Sequence, residues 1–336
     1  MGHNLNEPDT GMTQAKPIQI PGLTRPLVLI DNPDISIRTD PSELSVGIDR
    51  KGVVPEVDVS RFDVLVTVAQ EAPAPWVVCD AGRLDGSLQR ISDTIGKAPV
   101  ATTILTEVLR LAEGLSFEGA ISLESLAYST LLSGQEFATW LKQRPLSNLE
   151  ATTEPAEPVL YIREDDTVTL LLSSPDTRNA MTARMRDSFH EALTNVLEDP
   201  SDPRLVLRGD GKCFSVGGFL PEFGTASDVA LAHLVRTHRS CAILLNRLRG
   251  RAEVFMQGAC IGSGLEITAA AGRRYGYRNS FFQLPELGMG LIPGAGGTVT
   301  VPRAIGRHRA LWMMLTGTRL SARQALDWGL IHGIVE

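Results

Sequence analysis

The chain has 336 residues, 43% of them hydrophobic and 21% charged, enough apolar material for a packed core and the profile of a globular protein. Its 39 acidic residues outnumber 32 basic ones to give a net charge of −7, so the basic footprint of a nucleic-acid groove is missing. No apolar run approaches the ~20 residues that span a bilayer, and MGHNLNEPDTGMTQAKP lacks the basic and apolar stretches of a secretory signal; the cytoplasm is the expected location.

Residues 1–25 are polar and rich in Gly, Pro and Asn, and read as a mobile tail. Apolar runs at 64–68 and in PWVVCD read as strands. From residue 98 the pattern turns helical: Val100, Ile104, Val108 and Leu111 fall on one stripe that ends at Gly114. Further helices are expected over 118–132, with Ile121, Leu126 and Leu132 as contacts, and over 135–143, with Phe137, Trp140 and Leu141. Nothing in this half has the look of a reaction centre. The stretch PLSNLEATTEPAEP (145–158), with its prolines and glutamates, reads as a connection and places a domain boundary near residue 155.

Beyond it strands and helices alternate. Strands are expected at 167–172, 205–207 and 254–256, and helices from Thr182 and over 229–248. Ser321 and Gln324 make a capping box for a helix that Gly329 stops. The alternation predicts an α/β domain over 155–336, preceded by a mixed, then helical, domain over 26–150. The four cysteines show no metal or redox spacing, and Cys213 and Cys260 sit in apolar stretches as small core residues. The six histidines show no paired ligand spacing.

Three glycine-rich clusters remain: GKCFSVGGF (211–219), GACIGSGLE (258–266) and PELGMGLIPGAGG (285–297). Gly262 and Gly264 begin a dinucleotide fingerprint that Ile267 breaks; Cys213 after Gly211-Lys212 rules out a Walker loop; Ile261 and Leu265 exclude a nucleophile elbow at Ser263. What is left is two turns with spare N–H groups and two carboxylates, Glu266 and Glu286. A strand running through a glycine turn into a helix at Ser263 presents amides to developing negative charge, and the Gly217-Gly218 turn offers a second donor. Such a set suits chemistry on a polarised carbonyl, with the amides holding an enolate while a carboxylate moves protons. Each acid also has a plainer role: Ser263 to Glu266 fits a capping box and Glu286 could be a solvated charge; Glu222, in the first-segment loop, either faces the pocket or, as its type favours, lies at the surface.

From 158 to 336, slightly over half the chain, the sequence resembles the enoyl-CoA hydratase/isomerase (crotonase) family. SSPDTRNAMTARM, FSVGGFLPEF, GACIGSGLE, LPELGMGLIPGAGGT, RAIG and LTGTRLSARQALDWGLIHGIV follow in the family's order. The resemblance implies a crotonase-like ββα spiral core carrying an N-terminal extension that ends in helices. It implies oxyanion donors at the Gly218 and Ser263 amides, Glu266 and Glu286 as catalytic acids, and substrate contacts from Val216, Phe219, Gly264 and Ala180. The implied activity is that of a lyase of fatty acid metabolism, adding water across the 2,3-double bond of an acyl-CoA thioester. Coenzyme A enters as part of the substrate, with no metal or other cofactor, and the expected assembly is a homo-trimer or homo-hexamer without nucleic acid or membrane. Other reactions of the family stay open (isomerisation, C–C cleavage, cofactor-free oxygenation of an aromatic acyl-CoA), as does a non-catalytic acyl-CoA-binding subunit.

The chain departs from the family pattern at Phe219, usually Asp; at Ser263, usually Gly; at Val216, usually Ala; and at Gly272-Arg273-Arg274, where an acid is common. The family also continues past GLIHGIV into helices that close the acyl pocket. Residues 98–146 resemble that closing segment, so either the amino-terminal side supplies it in a permuted order or it is an unrelated helical domain with a chance resemblance.

Overall fold

The computed structural model describes residues 22–144, 155 and 157–336, so the expected tail and the Pro/Glu-rich connection lie mostly outside the described residues. Strands β1 (Leu27–Asp31), β2 (Leu44–Asp49), β3 (Val64–Thr67) and β4 (Val77–Val78) pair in that order as a parallel sheet. β2 and β3 are buried along their whole length, as parallel strands covered on both faces are.

Four helices follow: α1 (Ala81–Lys97), α2 (Pro99–Ala112), α3 (Phe117–Leu132) and α4 (Gln135–Gln143). α1 precedes the expected helical start; Gly82, Gly86 and Gly96 dilute its signal, yet Leu84, Ser87, Leu88 and Ile91 form a buried i, i+3, i+4, i+7 stripe. In α2 the expected stripe is rotated. Val100 and Leu111 are exposed, whereas Ala101, Leu105, Val108, Leu109 and Ala112 face inward. Small residues and threonines fill the inner face because α3 and two later helices pack closely on it, which an apolar count cannot register. In α3, Ile121 is buried but Leu126 is 54% exposed. The inner face takes Glu124 instead.

The second half winds as a spiral. β5 (Val159–Glu164) and β6 (Thr167–Leu172) form an antiparallel hairpin; α5 (Ala183–Glu198), β7 (Arg204–Gly209), α6 (Val229–His238), α7 (Cys241–Leu248) and β8 (Ala252–Met256) come next. The expected single helix over 229–248 is thus two, because Ser240 accepts a hydrogen bond from the Ile243 amide and starts α7 afresh. Then follow β9 (Ala259–Ile261), α8 (Ser263–Thr268), β10 (Arg273–Tyr277), β11 (Phe281–Gln283), α9 (Gly297–Ile305), α10 (Arg307–Thr316), β12 (Leu320–Ser321), α11 (Ala322–Trp328) and β13 (Gly333–Val335).

A six-stranded sheet runs β13-β10-β8-β7-β6-β5 and a smaller one β12-β11-β9, so successive turns place strands in the large and then the small sheet. α5 covers the large sheet with Met185, Phe189, Leu193 and Val196. The Ser321–Gln324 capping box and the left-handed Gly329 bound α11 as the sequence indicates. One apolar core joins the two halves, taking Leu44, Val46 and Val66 together with Leu207, Val254 and Leu311. The buried Asp63 ties them by charge: Arg110 grips it with Nε and Nη2 (2.8 and 2.7 Å), and Arg307 of α10 donates at 3.2 Å.

Candidate active site

Two chain segments run side by side at the heart of the site. Residues 214–216 lie parallel to β9: the Ser215 amide donates to Ala259 O (3.2 Å) and the Ile261 amide to Ser215 O (3.1 Å). Asn179 locks the first segment. It is fully buried, its side-chain oxygen accepts from the Ser174 amide, and its Nδ2 donates to the carbonyls of Asp210, Cys213 and Phe214. Its φ of 52° is left-handed, a conformation that asparagine tolerates better than most residues. Gly217 follows with φ 88°, where a Cβ would lie 2.8 Å from Ile261 O; only glycine lets the segments approach so closely. Neither the Gly218 amide nor the Ser263 amide donates to another described residue.

Glu266 and Glu286 flank this crossing. A Cβ at Gly262, whose φ is 49°, would lie 2.9 Å from Glu286 Oε1 and 4.0 Å from Glu266 Oε1. Glu266 does not cap its own helix: the N-cap of α8 is Gly262, and the carboxylate turns away to accept from the Ala295 (2.6 Å) and Gly297 (3.0 Å) amides through Oε2. Glu286 opens a 3₁₀ turn, Glu286–Met289, and its Oε2 is buried without a hydrogen-bond partner. It is therefore no solvated charge. Burial, and then the charge of Glu266, push the Glu286 carboxyl well above the ordinary range. Burial raises Glu266 too, opposed by the amides that grip it. Two donors on one oxygen favour the ionised form of Glu266, so the retained proton belongs on Glu286.

Both acids line a cavity of about 1080 Å³. Ala180, Val216, Gly218, Phe219 and Ser263 line it as well. Gly264 does not: it is buried behind the wall, where a Cβ would meet Ser215 Cβ at 2.7 Å, so it serves close packing and not the expected substrate contact. Glu222 reaches the lining, and its Oε2 accepts from the Ala183 amide at the start of α5.

The remaining wall comes from residues that the sequence did not single out individually as site residues, most of them in the 98–146 segment expected to close the acyl pocket. Tyr128 and Leu132 of α3, Phe137, Trp140 and Leu141 of α4, Phe223 and Arg236 line the same cavity. Phe137 stacks on Trp140 (centroids 5.8 Å) and Trp140 meets Phe223 edge-on (6.2 Å). Arg236 lies 4.8 Å over the Tyr128 ring and is anchored on Ser125 and Ser129. Behind the wall, Glu124 is 1% exposed and bonded to the start of α9. A signal was available: Glu124, Ser125, Tyr128 and Ser129, at i, i+1, i+4 and i+5 of α3, place polar groups on adjoining faces that the apolar residues leave.

Spiral turns feeding a cleft with spare amides and paired acids define the crotonase class of fold. The chain belongs to the enoyl-CoA hydratase/isomerase family, whose profile matches residues 164–336. It is 33% identical over 174 residues to the enoyl-CoA isomerase/hydratase fer4 of Mycosarcoma maydis, a match covering 49% of this chain and 64% of that protein. It is 29% identical over 182 residues to the trans-2-decenoyl-[acyl-carrier-protein] isomerase of Streptococcus mutans, covering 53% of this chain and 69% of the other. In fold it is similar to the enoyl-CoA hydratase of Bacillus halodurans, with TM-score 0.50 and 24% identity over 53% of this chain and 73% of that one. The chain thus spans about two thirds of these proteins, and its first 163 residues lie outside the family match.

Proposed function

We propose that the protein hydrates the 2,3-double bond of an acyl-CoA thioester. The observation that supports this reading is that Gly218 and Ser263, whose amides donate to no other described residue, line one cavity together with the buried carboxylates of Glu266 and Glu286. The thioester oxygen accepts from the Gly218 and Ser263 amides, which favours negative charge building on it as water adds. Glu266, held ionised by two amides, takes the proton of the attacking water as its oxygen bonds to C3. Glu286, which keeps a proton, delivers it to C2 and so closes the enolate. The exposed Arg178 and half-buried Arg186 bring positive charge to the cavity for the phosphates of coenzyme A, and the aromatic wall of α4 suits an apolar acyl group.

Residues 98–143 in this reading close the site from the amino-terminal side. The support is that Tyr128, Phe137 and Trp140 line the same cavity as the two acids. Isomerisation of a 3-enoyl thioester is the second reading, favoured by the names of two relatives and requiring only one acid to shuttle the proton.

The test is turnover on a panel of straight-chain, cyclic and aromatic 2-enoyl- and 3-enoyl-CoA thioesters, with Glu266→Gln and Glu286→Gln beside the parent. Each substitution is expected to lower hydration at least ~100-fold while the fold is kept. Near-parental hydration by either variant removes that residue from the mechanism. Loss in only one of them, with double-bond migration retained, selects isomerisation, and absence of deuterium exchange at C2 of a bound acyl-CoA marks a binder.

A further inference from the structure

Helix α9 begins with four consecutive amides that go alternately to two carboxylates. Ala295 and Gly297 donate to Glu266, as described; Gly296 donates to Glu124 Oε1 (2.7 Å) and Thr298 to Glu124 Oε2 (2.7 Å). The Thr298 hydroxyl adds a third bond to the carboxylate, the second on Oε2, also at 2.7 Å. N–H groups entering a helix have no acceptor within it and fan outward, so an acid on either side can take every second one. Both acids are buried, at 1% and 3% exposure, and Glu124 does not line the cavity. It cannot touch what binds there.

The turn has been left open for this arrangement. A Cβ at Gly297 would lie 3.0 Å from Glu266 Oε2, and Gly296, with φ 115°, takes a conformation that favours glycine. A buried carboxylate is costly unless its bonds are made, so Glu124 is an expensive way to fill space that leucine would fill. We propose that Glu124 is a positioning residue for Glu266: by holding Gly296 and Thr298 it fixes the turn whose alternate amides, Ala295 and Gly297, aim and grip the Glu266 carboxylate. Only the kinetic part of the following test rests on the proposed hydration.

The experiment compares Glu124→Leu and Glu124→Gln in the full chain by amide hydrogen exchange resolved at residues 295–298. The informative amides are Ala295 and Gly297, which do not touch Glu124. Leucine is expected to speed their exchange at least ~tenfold, and glutamine, which keeps one acceptor, by less. In the same order kcat falls with KM unchanged, because the cavity wall is intact. A space-filling role predicts the reverse, with leucine tolerated and both amides protected as in the parent, and that result overturns the proposal. If Glu124→Leu does not fold, Thr298→Val removes a single donor to Glu124; faster exchange at Ala295 and Gly297 supports the proposal and unchanged exchange overturns it. Faster exchange in a chain whose parent hydrates nothing refutes the reaction and keeps the role of Glu124.

Discussion

Glu286 holds a carboxyl oxygen buried and without a partner, which favours its neutral form. Its raised affinity for a proton has a consequence for stability. A carboxyl that binds its proton more tightly in the folded chain than in the unfolded one helps the fold fully below about pH 4.3, and that help is lost as pH climbs through the folded value. The protein is therefore expected to lose stability as pH rises above about 5, by at most about 1.4 kcal/mol per pH unit from this carboxyl, until it ionises in the folded chain. Glu286→Gln should flatten this loss, so that its melting temperature relative to the parent rises from pH 5 to pH 8; thermal unfolding at the two pH values checks it. Both acids and both amides can be picked out from the glycine clusters, because close approach demands glycine at fixed positions. Which oxygen each carboxylate leaves open cannot, since Ala295 and Gly297 lie about thirty residues along from Glu266.

Strand, turn and helix boundaries in the second half follow the sequence closely wherever a local device sets them. Thr182 starts α5 by accepting from the Met185 amide, and Ser321 with Gln324 starts α11. The first half reads less well, because its helices are amphipathic toward several neighbours at once and the face that matters on α3 is polar. At this scale Asn179 is the most exposed to a single change. Asn179→Ala removes four side-chain hydrogen bonds linking the turn at 174–182 to the segment carrying Gly218, at a left-handed position that alanine disfavours. We expect a loss of about 2–4 kcal/mol in stability. Under the proposed function turnover should fall as well, and denaturant titration with parallel turnover measurements checks both.

The molecule as a whole unfolds as one body if its two halves share a core, and the charge network at Asp63 is the sharpest place to ask. Asp63 joins β3 to Arg110 of α2 and to Arg307 of α10, and Arg307 also meets Glu113 at 3.2 Å. Asp63→Asn leaves two guanidinium groups short of a buried counter-charge and is expected to cost about 3–5 kcal/mol. A single transition by circular dichroism and tryptophan fluorescence, moved to lower temperature, is the expected result; two separated transitions would show halves that melt independently. Composition points to a boundary near residue 155, but the contacts that cross it come from residues far apart in sequence, 244 positions in the case of Arg307 and Asp63.

The bond between Glu124 and Gly296 spans 172 residues of sequence. During synthesis the glutamate leaves the ribosome long before the amides that receive it exist. The nascent α3 must keep its carboxylate in water until those amides are made. The turn that grips Glu266 accordingly waits on residues 295–298, and a product ending before Gly296 would carry α3 with its acid unanswered.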